Sequence, residues 1–178
     1  MTASVILPGL DGAAFRQAMA GVPMAVHVVA TDGPAGRHGA TATAVASVTD
    51  DPPTVLVCLN RASSIAARVK ENGVAAVSAL AAAHQPVAEA FARSSGGAPD
   101  GRFDVGDWDR LVTGAPALRG AVAVFDGRVM EARPVGSHLI VLLRLEAVRA
   151  GDAGAPGLIY RSRGYLAAAS RAETPSSS

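Results

Sequence analysis

Hydrophobic positions along this chain recur mostly every second residue or in short unbroken runs, and only three stretches carry the three-to-four spacing of a helix. The first begins at Asp11, which can cap a turn bearing Phe15, Ala18 and Met19 on one side before Gly21–Pro23 ends it. The second is SSIAARVKENG (63–73), with Ser63 or Ser64 as cap, Ile65, Ala66 and Val69 facing inward, and Asn72-Gly73 as the stop. The third is HQPVAEAFARS (84–94), which has a proline near its first turn.

Between and after them lie β-rich runs: MAVHVVATD (24–32), TVLVCLN (54–60), VAAVSAL (74–80), AVAVFDGRVMEAR (121–133), HLIVLLRLEAVRA (138–150) and GLIYRSRGYL (157–166). The strands come in antiparallel-sized clusters, and the helices are too few and too short for regular βαβ alternation. The pattern predicts a mainly β fold, an antiparallel barrel with helical insertions, rather than a doubly wound sheet. No linker or repeat divides the chain. Residues 1–170 are expected to form one domain and RAETPSSS (171–178) a disordered tail. The Gly/Asp-rich segment 94–107, SSGGAPDGRFDVGD, is long enough to be a functional loop.

One stretch departs from ordinary core chemistry. In GATATAVASVTDDPP (39–53) nothing from Ala40 to Thr49 is larger than valine, and hydroxyls recur at Thr41, Thr43, Ser47 and Thr49. As one strand it would place Thr41, Thr43, Val45, Ser47 and Thr49 on one side and Ala40, Ala42, Ala44, Ala46 and Val48 on the other. Both sides are shallow enough for a flat group to lie against the backbone. An ordinary strand under a bulky neighbour fits the same pattern. The paired prolines Pro52 and Pro53 close the segment.

Composition narrows the choices. Of 178 residues, 49% are apolar and 17% charged, as in a folded globular chain of one domain. The formal charge is +1, and its carriers are scattered, so no electrostatic footprint for nucleic acid or an anionic membrane exists. The lone Cys58 cannot form an intrachain disulfide, and no run reaches the roughly 20 apolar residues of a membrane span. A cytoplasmic protein is expected.

Familiar catalytic signatures are missing. No two glycines stand one residue apart, which excludes the G-x-G dinucleotide fingerprint, and there is no phosphate loop of the G-x-x-x-x-G-K type. His27, His38, His84 and His138 lack metal-ligand spacing, so no metal site is expected. No G-x-S-x-G elbow occurs, and Cys58 sits in an apolar run as a small hydrophobe would. If the chain is an enzyme, a bound cofactor carries its chemistry.

Two further segments bear on that cofactor. In CLNRASSI (58–65) a strand ends at Asn60 and a helix starts at Ser63 or Ser64, which gathers hydroxyls, free N–H groups and the positive helix end, with Arg61 close by. That is either an anion site or a plain serine cap. In EAFARSS (89–95), Phe91 and Arg93 precede the long loop and suit either an extended ligand or simple core packing. His138 opens a strand, a position more often structural than functional.

The order of these motifs, a β run, G-A-T-A-T-A-V-A-S-V-T-D-D-P-P, V-C-L-N-R-A-S-S, F-A, G-S-H and L-I-Y-R with a following tyrosine, closely resembles the short-chain flavin reductases over residues 13–166. Within that family it is most similar to reductase components serving aromatic hydroxylases, chlorophenol monooxygenases in particular. The resemblance implies a single-domain, Greek-key-like antiparallel split β-barrel that binds flavin and forms homodimers. It implies reduction of FAD, or alternatively FMN, by NADH or NADPH, with reduced flavin leaving for a partner monooxygenase.

Carried over residue by residue, it implies that Thr41, Ala42, Thr43 and Ala44 line the flavin ring, with Ser47 and Val48 beside it offering backbone N–H groups. Cys58, Leu59, Asn60, Ser63 and Ser64 would hold the ribityl chain and phosphate. Phe91, Ala92 and Arg93 would reach the outer part of the flavin, and His138 and Tyr165 the nicotinamide. The family often carries G-D-H where this chain has Gly136-Ser137-His138. Two other readings of the same barrel stay open: a flavin-dependent oxidase of the pyridoxamine-phosphate type, and a non-catalytic flavin- or haem-binding module.

Overall fold

The structure, a computed structural model, describes residues 11–92 and 99–168. Arg93, the first part of the glycine-rich loop and the expected tail 171–178 lie outside the described residues.

The helices form where the sequence reading puts them. Helix α1 (Gly12–Ala20) is capped by Asp11, whose side chain accepts from Ala14 N at 2.7 Å. Helix α2 (Ser64–Asn72) starts after Ser63 and stops at Gly73, whose left-handed φ of 69° favours a residue without a side chain. Helix α3 (Gln85–Ala92) follows a short 3₁₀ turn. Among the described residues no helix is long and apolar enough to cross a membrane.

The strands are β1 (Met24–Ala25), β2 (His27–Thr31), β3 (His38–Ala42), β4 (Val45–Asp50), β5 (Pro53–Asn60), β6 (Val74–Ala79), β7 (Trp108–Arg110), β8 (Pro116–Leu118), β9 (Ala123–Val135), β10 (His138–Ala150), β11 (Gly157–Arg161) and β12 (Gly164–Ala168). Every pairing among them is antiparallel. Seven form the main sheet in the order β3-β2-β6-β9-β10-β5-β4, with β1-β11-β12 and β7-β8 as small accessory sheets. The fold is therefore mainly β and antiparallel, as expected.

Two apolar clusters explain why some strands read as unbroken hydrophobic runs. On β2, Val28 and Ala30 face one cluster and Val29 the other; on β6, Val74 and Ala76 oppose Ala75 and Val77 in the same way. Strands covered on both faces have no polar side to alternate with. The first cluster joins these strands to α3 through Val87, Ala88 and Phe91. In the second, the main sheet wraps α2, with Val55, Val57 and Leu59 of β5 and Leu139, Val141 and Leu143 of β10 around Ile65, Ala66 and Val69.

One expectation fails. Residues 40–49 do not make a single strand: the chain bends at Thr43 and Ala44, leaving β3 paired with β2 and β4 paired with β5. These two strands are consecutive in sequence but form opposite edges of the sheet, and no ladder joins them. The barrel is open along that seam.

Candidate functional site

The seam is where the cavity lies. A pocket of about 660 Å³ is bounded on one side by Ala40 to Ala44 and on the other by Cys58, Leu59 and Asn60 at the end of β5. Ala62 to Ile65 close one end, Phe91, Ala92 and Arg102 another, and His138 stands at the rim. Its size suits a nucleotide-sized ligand.

Twelve of the residues singled out from sequence are thus brought together: Thr41, Ala42, Thr43, Ala44, Cys58, Leu59, Asn60, Ser63, Ser64, Phe91, Ala92 and His138. Ser47 and Val48 are not in this wall. The bend at Thr43–Ala44 carries them onto β4, where Ser47 pairs with Val55 and Val48 is 49% exposed. Tyr165 lies in a second cavity of about 250 Å³, with Tyr160 and Val26, that shares Thr41, Ala42, Thr43 and Ala92 with the first. Its ring meets that of Tyr160 edge-on at 5.1 Å, and burial, with Tyr160 and Glu89 nearby, pushes its hydroxyl above the usual tyrosine range. His138 is in register with Asn60, so it and Tyr165 occupy different walls.

Several polar groups are already engaged within the chain. Thr41 Oγ1 donates to Ala88 O of α3 at 2.6 Å, which ties β3 to that helix. Asn60 Oδ1 accepts from Ala62 N at 2.9 Å, and Ser63 Oγ donates to Asn60 O at 2.5 Å. Both bonds tighten the turn before α2. Arg61, which the sequence placed near a bound anion, instead donates to Gly136 O at 3.1 Å on the β9–β10 turn. Ser63 makes no side-chain cap, so the first-turn amides of α2, at Ser64 and Ile65 in the cavity wall, depend on an outside acceptor.

Two polar wall residues were missed by sequence reasoning. His38, only 4% exposed, sets Nε2 against Ser64 Oγ, while its Nδ1 is buried without a hydrogen bond. Burial, reinforced by the nearby Arg68 and Arg102 guanidinium groups, holds its pKa below the usual 6.5. Arg102 donates to Gly39 O at 3.3 Å and brings a positive charge into the wall. Its one signal was its place in the long loop. The close packing of this side is strict: a Cβ on Gly39 would stand 2.5 Å from the Phe91 ring.

The cavity therefore offers a narrow slot of small residues, a helix start with open amides, and an arginine beside them. Among known proteins, the flavin reductase like domain matches residues 19–169. The chain is 48% identical over 157 residues to FMN reductase (NADH) RutF 1 of Methylorubrum extorquens, covering 88% of this chain and 76% of that one. It is 43% identical over 152 residues to the 4-hydroxyphenylacetate 3-monooxygenase reductase component of Pseudomonas aeruginosa, covering 85% and 89%. In structure it is similar to BorF, the flavin reductase component of a bacterial two-component tryptophan halogenase, with a TM-score of 0.83, 32% identity and coverage of 90% and 100%.

Proposed function

Because the chain belongs to the flavin reductase like family, we propose that it is an NADH-dependent flavin reductase that binds flavin in the seam and hands it, reduced, to a partner monooxygenase. The observation that carries this reading is the single cavity joining the small-residue bend at Thr41–Ala44 to the N-terminus of α2. When bound, the flavin supplies the hydride acceptor and the nicotinamide the donor. The chain's own task is to hold two flat rings in contact, which needs shape and position more than an acid or base.

Thr41, Ala42, Thr43 and Ala44 give the clearance a ring needs. Cys58, Leu59 and Asn60 run beside the ribityl chain. The α2 amides and Ser64 take the phosphate, since a helix start favours an anion there. The cavity at Tyr160 and Tyr165 opens from the same small residues, which supports it as the nicotinamide side. His138, on the opposite wall, is assigned to the flavin rim.

The similarity to FMN reductases favours FMN over FAD. The 4-hydroxyphenylacetate relative supports an aromatic hydroxylase as consumer; chlorophenol is one substrate for a coupled assay. A homodimer is supported by exposed Val48, Met130, Val135 and Val148 on β4, β9 and β10.

A steady-state assay with FMN or FAD and NADH or NADPH, in air, tests the proposal. NADH consumption that depends on added flavin is expected, greatest with FMN. Absence of flavin-stimulated NADH consumption sinks the reductase reading. Ala44→Leu, which fills the slot, should weaken flavin binding about tenfold or more, equivalent to about 1.4 kcal/mol.

A further inference from the structure

We propose that His38 is a positioning residue whose Nε2–H donates to Ser64 Oγ, turning the Ser64 hydroxyl proton toward the cavity as a donor to a phosphate monoester. The inference rests on the phosphate placement given above. His38 and Ser64 are 26 residues apart in sequence, yet the fold sets Nε2 against Oγ. The ring is 4% exposed and Nδ1 has no partner.

A neutral imidazole carries one N–H, and its location decides what Ser64 can do. With the proton on Nδ1, a buried N–H would be orphaned, which native structures rarely allow. Ser64 would then give its proton to Nε2 and show only lone pairs to the ligand. With the proton on Nε2, the orphan is a lone pair and Ser64 keeps its proton for the cavity. The second arrangement also agrees with the rest of this wall. The first-turn amides of α2 at Ser64 and Ile65 are donors, so the fitting ligand group brings acceptors alone. A phosphate does so; a hydroxyl-terminated chain does not.

Riboflavin has the ring and ribityl chain of FMN without the phosphate, so the ratio of the two dissociation constants reads the phosphate contact apart from general damage. Quenching of flavin fluorescence supplies both values. The wild-type chain is expected to prefer FMN. His38→Phe and Ser64→Ala should each weaken FMN about tenfold and leave riboflavin within about twofold, and the double variant should lose no more than either alone. His38→Gln, which keeps an N–H at similar reach, should retain most of the preference.

If His38→Phe does not fold, loss of preference in Ser64→Ala with retention in His38→Gln supports the inference. An unchanged ratio in Ser64→Ala overturns it. So does an equal loss for both ligands. Long-range ¹H–¹⁵N NMR of the flavin-free protein should show His38 protonated on Nε2, and protonation on Nδ1 overturns the inference directly. A wild-type chain that binds FMN and riboflavin equally well rules out the phosphate placement itself, and one that binds neither of them nor FAD rules out the reductase reading.

Discussion

Strands β3 and β4 use the same small and hydroxyl-bearing residues, follow one another in the chain, and come to opposite ends. His38 and Gly39 of β3 are buried and Ala40 to Ala42 half-buried, whereas β4 is exposed from Ala46 to Asp50. The difference lies in what covers them. On β3, Thr41 is bonded to α3, the Phe91 ring presses on Gly39, and Arg102 reaches the Gly39 carbonyl. Among the described residues β4 has only β5 as a ladder partner. Small side chains line a cavity where a second layer stands behind them, and form an ordinary edge where none does.

Removing that second layer tests the contrast most severely. Phe91 is 2% exposed and meets Phe103 and Trp108 at ring-centre distances of 5.0 and 5.2 Å. Phe91→Ala should cost about 3–5 kcal/mol in urea unfolding. Gly39→Ala alone should cost about 1–3 kcal/mol by overpacking, and much less once Phe91 is alanine. Additive losses would show that the ring does not set the clearance over β3.

Acidity should sharpen the same contrast by a smaller amount. Burial holds His27 of β2 and His38 of β3 below the usual 6.5, so the folded chain takes up a proton less readily than the unfolded one. Their contribution to stability is complete above about pH 6.5 and declines as pH falls toward the folded-state values. The urea midpoint should drop between about pH 7.5 and 5.5, and His27→Gln or His38→Gln should each flatten that slope.

The smallest change is expected on β4. Val48→Ser should shift monomer stability by no more than about 0.5 kcal/mol. A loss that grows on dilution would instead mean that a second copy covers this edge.

Much of this was legible because local chemistry decided it. Asp11 and Gly73 bound helices whatever lies around them, and the Ile65, Ala66 and Val69 spacing allows only one inward face. The break at Thr43–Ala44 was not legible, because alternation continues across it and no glycine or proline marks it. β7 and β8, three residues each, are too short for periodicity to register. The roles of His38 and Arg102 were hidden for another reason: each depends on an approach between distant segments. Arg61 shows the converse, a residue adjacent in sequence to the site whose side chain the β9–β10 turn draws away.

The unpaired seam is spanned by the covalent chain itself. β3 belongs to the hairpin with β2, and β4 to the hairpin with β5, so each is anchored on its own side. The bend between them is held to one of these sides, because Ala44 O accepts from Cys58 N of β5 at 2.9 Å. The edge of the cleft is thus one continuous piece of backbone, bonded to β5 at Ala44 and to β2 through β3.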